Sequence, residues 1–115
     1  MTTTAQNFTM WSGDDKTITV TVVDGDGTAQ DITAATISYK LQPAVDDATG
    51  AITKTVGSGV TITNAAGGIF TVDIAAANTA SFAGVYYHEC QVTSSGGVVS
   101  TVFVGNVTIN QDAIT

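Results

Sequence analysis

The chain has 115 residues, 43% of them hydrophobic, which is enough to bury the core of one ordinary domain. It carries three lysines, no arginine and ten acidic residues, for a formal net charge of −7. Nucleic acids and anionic membrane surfaces are bound through cationic side chains, so this composition argues against both as partners. Thr, Val, Ile, Ala and Gly dominate, and the excess of β-branched residues favours strands. We therefore expect a single β-rich domain over residues 1–115.

The two ends of the chain carry no clear apolar pattern. The start, MTTTAQNFTM, lacks the basic and apolar regions of a signal peptide, and no apolar run in the chain is long enough to cross a bilayer. We interpret residues 1–7 as an N-terminal arm and residues 111–115 as an extended C-terminal tail. Termini of this kind are ordered only when they dock, and a neighbouring subunit is a natural partner for them.

Alternation of apolar and polar residues predicts several strands. The apolar sets, each on one face of its own strand, are Ile18, Val20 and Val22; Ile37, Tyr39 and Leu41; Phe70, Val72 and Ile74; and Tyr86, His88, Cys90 and Val92. On the last of these strands Tyr87, Glu89 and Gln91 lie on the opposite face. Because the set that contains Cys90 is the more apolar one, we predict that it faces the core.

Turn signals separate these strands at short intervals, as DGDG, DDATG, GSG, NAAGG and SSGG. The last of them, over residues 94–97, suits a tight hairpin, and the final strand is predicted from Val98 to Ile109 with a bulge or bend at Gly105. Only residues 75–82 could be helical, as one turn crossing between two sheets. About seven short strands without a linker or a repeat predict an antiparallel β-sandwich.

Few residues are available for catalysis. A nucleophile, a base and an orienting carboxylate would have to form around His88 and Cys90, which project from the same face of one strand. A row of side chains along a half-buried strand is far commoner, and we interpret Cys90 as a small buried hydrophobe. A lone cysteine forms no intrachain disulfide, and His88, Cys90 and one carboxylate make an incomplete zinc site. We predict no catalytic, cofactor-binding or metal residues.

The stretch Asp24-Gly25-Asp26-Gly27 looks like the opening of a calcium loop. An EF-hand-type loop needs a bidentate glutamate at its twelfth position, which is Ala35 here, and a turn glycine where Ala29 stands. A looser site shared with Asp31 is the alternative. We interpret the stretch as a strand connection in which Asp and Gly supply the backbone angles and local hydrogen bonds. Asp14-Asp15 and Asp46-Asp47 also fall at predicted turns.

Aromatic side chains are the other candidates for binding, because exposed rings on β-sheets stack on sugars. The candidates are Trp11, Tyr39, Tyr86 and Tyr87. Tyr39 and Tyr86 occupy core-type positions in the alternation, which leaves Trp11 and Tyr87.

Several motifs occur in a particular order between about residues 8 and 110. The first segment contains Gly13-Asp14, the strand from Ile18 to Val22, Asp24-Gly25-Asp26-Gly27, and Asp31-Ile32-Thr33 leading into the strand of Tyr39. The second contains Gly68-Ile69-Phe70, Gly84-Val85-Tyr86, the Gly96-Gly97 hairpin and the strand from Thr101 to Ile109. In this order they resemble the small immunoglobulin-like β-sandwich domains of tailed-bacteriophage virion proteins, which include the N-terminal domain of the baseplate upper protein family.

This resemblance implies an immunoglobulin-like antiparallel sandwich with a non-enzymatic, structural role in the virion. We expect a capsid decoration or accessory protein on the outer head surface. The alternatives are a baseplate, tail or fibre-attachment adaptor and, from another class, a carbohydrate- or receptor-binding module. The implied partners are other virion proteins and further copies of the chain, in a homo-oligomer or multi-copy array assembled in the host bacterial cytoplasm.

Overall fold

The computed structural model describes residues 4–5, 7–24, 26–43, 52–80 and 82–111. Its elements in chain order are β1 (Thr4–Ala5), β2 (Phe8–Trp11), β3 (Lys16–Thr21), β4 (Thr36–Gln42), β5 (Ile52–Val56), β6 (Gly59–Asn64), β7 (Ile69–Ile74), α1 (Ala76–Thr79), β8 (Gly84–Thr93) and β9 (Val99–Asn110). Within these ranges, α1 is a single turn and no helix has the length and apolarity to span a membrane. The predicted turn at Asp46-Asp47 and residues 112–115 of the predicted tail lie outside the described residues.

The strands form one mixed sheet that is nearly closed into a barrel, in the order β1-β9-β8-β4-β5-β6-β7-β3, with β2 also pairing with β9. The prediction of an all-β protein is confirmed. The antiparallel prediction holds only in part: nine strands are described rather than about seven, and three of their pairings are parallel. Two of those pairings involve short N-terminal strands that carry no extended alternation and gave no signal in the sequence.

The link between β5 and β6 divides the sheet into two antiparallel blocks. Only two residue pairs connect the strands there, Thr55 with Gly59 and Val56 with Val60. The corner between them contains two glycines at positive φ, Gly57 at +85° and Gly59 at +97°. One block is therefore β9-β8-β4-β5 and the other is β6-β7-β3.

Residues 4–5 of the predicted N-terminal arm, and β2 after it, pair with the last strand of the same chain. β1 and β2 run parallel to β9, with Phe8 opposite Val107 and Met10 opposite Ile109. The Nζ atom of Lys16, at the start of β3, lies 5.0 Å from the centroid of the Phe8 ring. Strand β3 at one end of the sheet is therefore close to β2, which pairs with β9 near the other end. Backbone groups of residues 4–5 and 8–11 thus find partners on β9 of the same chain.

The predicted inner faces are confirmed strand by strand. The buried hydrophobic residues of β3, β4, β7 and β8, with Val22 just after β3, are Ile18, Val20, Val22, Ile37, Tyr39, Leu41, Phe70, Val72, Ile74, Cys90 and Val92. From β9 come Val102, Phe103, Val107 and Ile109. Tyr86 is half-buried and packs against this core. Strand alternation therefore located the core correctly, because successive side chains on a strand point to opposite faces.

The irregularity in the last strand lies at Val102 and not at Gly105, so the predicted break at Gly105 is wrong. Cys90 pairs with Phe103 and Gln91 with Thr101, which leaves Val102 as the extra residue of a bulge. The bulge allows the consecutive residues Val102 and Phe103 both to be buried, which regular alternation forbids. Gly105 stays in register opposite His88 and interrupts nothing.

The single helical turn predicted between β7 and β8 is confirmed, and it is tied to the corner between β2 and β3. The Oδ1 atom of Asp15 accepts a hydrogen bond of 2.6 Å from the backbone N–H of Ala76, the first residue of α1. The backbone N–H of Gly13 donates to Oγ1 of the buried Thr79 at 3.0 Å. Asp15 therefore satisfies an N–H that the helix itself leaves unpaired.

Candidate functional site

The single histidine and the single cysteine both lie in the core, on the inner face of β8. His88 and Cys90 are each 0% exposed. The Nδ1 atom of His88 is 3.0 Å from Oη of Tyr39, and the rings of Phe8 and Phe103 flank the imidazole at centroid distances of 5.5 and 5.1 Å. Both side chains that suggested a catalytic dyad are thus enclosed by apolar and aromatic groups.

The thiol of Cys90 is held in its protonated form. Burial, with a smaller contribution from the nearby carboxylate of Glu89, raises the pKa of Cys90 to about 12. Since the thiolate is the nucleophile, a thiol with this pKa is inert near neutral pH. The interpretation of Cys90 as a buried hydrophobe is confirmed.

Asp24 and residues 26–28 belong to a turn that Asp24 holds. The Oδ1 atom of Asp24 accepts hydrogen bonds from the backbone N–H groups of Asp26 and Thr28, at 2.9 and 3.0 Å. Gly27 has a φ of +82°, and the backbone N–H of Asp24 donates to the carbonyl oxygen of Thr28 at 2.9 Å. These are the local hydrogen bonds and the backbone angle that the turn interpretation predicted.

Asp31, the further ligand of the looser calcium alternative, caps a turn of its own. Its Oδ1 atom accepts hydrogen bonds from the hydroxyl and the backbone N–H of Thr33, and these two bonds lower the pKa of Asp31. In the part of the chain that the structure describes, no three His, Cys, Asp or Glu side chains come together as a group able to hold a metal ion.

The four aromatic candidates differ in the face of the sheet they occupy and in burial. Tyr39 is fully buried, and Tyr86 is half-buried with its ring stacked on Phe82 at a centroid distance of 4.7 Å. Trp11 is 53% exposed at the end of β2. Tyr87 is half-buried on the opposite face of β8 from His88. The sequence therefore separated the inward pair from the outward pair correctly.

Polar side chains gather on the outward surface of β4 and β8, which we call the outer polar face. It consists of Ser38, Lys40, Tyr87, Glu89 and Gln91. Strand register places Ser38 opposite Gln91 and Lys40 opposite Glu89. Four of these residues, all except Tyr87, line a shallow depression of about 320 Å³.

Glu89 is oriented by its two neighbours on the same face of β8. Its Oε1 atom accepts a hydrogen bond of 2.7 Å from the Tyr87 hydroxyl, and its Oε2 atom accepts one of 3.3 Å from the Gln91 side-chain amide. Partial burial, together with the bond to Glu89, raises the pKa of Tyr87 to about 12, so the phenol remains a donor at neutral pH. The carboxylate is therefore held in one orientation at the edge of the depression.

Of the outer polar face, the sequence singled out only Tyr87 as a candidate for binding. Alternation did predict that Glu89 and Gln91 point away from the core, but it gave no reason to group them with Ser38 and Lys40. That grouping depends on the pairing of β4 with β8, which joins residues about fifty positions apart in the chain. No local pattern specifies such a pairing.

The chain matches no known family model, and it has no significant match among curated proteins. The fold therefore defines the class: an all-β protein in which His88 and Cys90 are enclosed in the core.

Proposed function

We propose that this chain is an immunoglobulin-like β-sandwich domain that serves as a non-enzymatic structural protein of a tailed-bacteriophage virion. The strand order carries the immunoglobulin-like part of the proposal, and the virion role rests on the motif order that resembles phage domains. Immunoglobulin-type domains pack a G-F-C sheet, extended by C′ in some members, against a B-E-D sheet. Here β9-β8-β4-β5 follows the first order and β3-β7-β6 follows the second, with the weak β5–β6 link at the corner.

Tyr86 gives further support to the immunoglobulin-like arrangement. It lies near the start of β8, which corresponds to strand F, and its hydroxyl accepts a hydrogen bond of 3.4 Å from the backbone N–H of Ala83. A tyrosine at this corner, bonded to backbone a few residues upstream, is a hallmark of immunoglobulin domains. The same Tyr86 belongs to the motif order that resembles phage virion domains.

The non-enzymatic part of the proposal is supported by the burial of His88 and Cys90. A general base or nucleophile must reach the substrate, and both side chains are 0% exposed. The acidic, arginine-free composition suits a soluble component made in many copies. Within the virion we favour the outer head surface, with a baseplate, tail or fibre-attachment position as the alternative.

Cryo-electron microscopy of virions from the encoding phage tests this proposal, with virions that lack the gene as the control. We expect density for the domain in many copies on the outer capsid, and loss of that density in the control. Density at the tail tip or baseplate would support the alternative position. Particles of identical composition and density with and without the gene would refute a virion role.

A carbohydrate- or receptor-binding module is the second candidate, and the outward placement of Trp11 and Tyr87 favours it. A glycan array with and without calcium separates it from a purely structural role. Calcium-dependent binding would in addition contradict the turn interpretation of Asp24.

A further inference from the structure

The depression on the outer polar face is large enough for a small ligand and is lined by polar side chains. Its volume of about 320 Å³ falls at the lower end of the range of about 300–1,000 Å³ that is usual for such sites. Ser38 offers a hydroxyl, Lys40 an ammonium group and Gln91 an amide that both donates and accepts. A ligand with several hydroxyl groups matches this mixture.

Charge on this face is balanced, although the chain as a whole is strongly acidic. Lys40 and Glu89 are direct cross-strand partners and carry opposite unit charges. The remaining members, Ser38, Tyr87 and Gln91, are neutral. A neutral ligand therefore meets no net repulsion here, whereas an anionic ligand would gain little from one lysine on a chain with a net charge of −7.

Glu89 is preorganised as a hydrogen-bond acceptor. Each of its oxygens already accepts one bond, from Tyr87 and from Gln91, and each carboxylate oxygen retains capacity for another. Binding thus costs little further ordering of this side chain. Val104, the cross-strand partner of Glu89 on β9, adds a half-buried apolar surface on the same side of the sheet.

The surroundings of the depression do not resemble the centre of a protein–protein interface. Such a centre is apolar and rich in aromatic anchors. Here the outward cross-strand neighbours of Ser38, Lys40 and Gln91 are threonines: Thr53, Thr55 and Thr101. Threonine hydroxyls thus flank the depression on β5 and β9, with Val104 as the apolar neighbour of Glu89, and this mostly polar setting favours a small hydrated ligand over a second protein.

We propose that the outer polar face binds a neutral polyhydroxylated ligand, namely a glycan, with Glu89 and Gln91 as its main hydrogen-bonding residues. This inference deepens the second candidate function and is independent of where the protein sits in a virion. It assigns the binding surface to the strand pair β4–β8 and not to the exposed Trp11.

Backbone amide NMR of the full chain, titrated with maltotriose, mannotriose and chitotriose, tests the proposal. Trigalacturonic acid serves as the anionic comparison. We expect at least one neutral trisaccharide to shift amide signals of β4 and β8, mainly at residues 38–40 and 87–91, with millimolar affinity. Gln91→Ala should weaken that binding about fivefold, the loss expected for one hydrogen bond.

Thr61→Ala is the matched control, because Thr61 is an exposed polar residue on β6, in the other block of the sheet. It should leave the affinity unchanged, and both variants should keep the wild-type unfolding midpoint. The proposal is overturned if no neutral trisaccharide shifts the signals, if only trigalacturonic acid does, or if the shifts centre on Trp11. Concentration-dependent shifts on this face without any saccharide would instead assign it to a second copy of the chain.

Discussion

Tyr39 and His88 form a hydrogen bond inside the core, with 3.0 Å between Oη and Nδ1, although they are 49 positions apart in the chain. Tyr39 lies on β4 and His88 on β8, and their rings meet edge to face at a centroid distance of 5.6 Å. A buried polar group is costly unless it is hydrogen-bonded, so each residue makes the burial of the other tolerable.

We expect Tyr39→Phe to destabilise the fold by about 1–3 kcal/mol, because it removes the partner of a buried ring nitrogen. Tyr87→Phe is the matched control, since it also removes one phenolic hydroxyl, but from a half-buried residue on the outer face. It should cost less than about 1 kcal/mol, because water can solvate Glu89. Urea unfolding of both variants measures the difference. Equal losses would contradict a structural role for the buried pair.

Alkaline pH should destabilise the protein through Cys90. Burial raises the pKa of its thiol from 9.0 to about 12, so the folded state favours the protonated form. The resulting contribution to stability is complete below pH 9 and is lost as the pH rises towards 12, at up to about 1.4 kcal/mol per pH unit.

Unfolding free energies at about pH 8 and about pH 10 check this. The interval ends at pH 10 because tyrosine side chains, with an ordinary pKa of 10.0, titrate increasingly above it. Cys90→Ala is the comparison, and only the change with pH matters, because the smaller side chain also leaves a cavity. The variant should lose less stability than the wild type over this interval. Identical pH dependence in both proteins would show that the thiol does not titrate as described.

The turn at Asp24 supplies a prediction about calcium. Asp24→Ala removes the acceptor of two backbone N–H groups and should cost about 1 kcal/mol. Asp26→Ala removes the same charge from an exposed residue and should stay within about 0.5 kcal/mol of the wild type. In each of the three proteins, calcium should leave the midpoint of thermal unfolding unchanged. A midpoint that rises with calcium in the wild type and not in Asp24→Ala would make this turn a metal site.

Gly68 occupies a position that no other residue fits. Its φ is +70°, and a Cβ atom there would lie 2.5 Å from the carbonyl oxygen of Gln30 and 2.7 Å from that of Val22. We expect Gly68→Ala to cost about 2 kcal/mol or more, since both obstacles are backbone.

Gly97→Ala separates the two causes of that loss. Gly97 has a φ of +89° but open space around it, so its substitution should cost only the backbone strain, about 1 kcal/mol. Chemical denaturation measures both variants. A loss for Gly97→Ala as large as that for Gly68→Ala would show that backbone strain, and not the close approach of the two carbonyl oxygens, is the main cause.

Several structural features could be predicted from single short segments. The hairpin between β8 and β9 is one: the backbone N–H of Ser94 donates to the carbonyl oxygen of Val98, and Gly97 has the positive φ that SSGG suggested, although Gly96 does not. The turn at Asp24 and the helical turn at Ala76–Thr79 are others. In the hairpin and the Asp24 turn the determining interactions lie within a few residues, whereas the helical turn is also held by distant residues, Asp15 and Gly13.

The sequence by itself determined the β class, the inward face of each long strand and the chemistry of the turns, because alternation and local hydrogen bonding act over a few neighbouring residues. The tertiary structure alone decided that β1 and β2 run parallel to β9, that the bulge falls at Val102, and that β4 lies beside β8. Those features depend on backbone pairing between distant segments. For that reason the Tyr39–His88 bond and the outer polar face could not be predicted from the sequence.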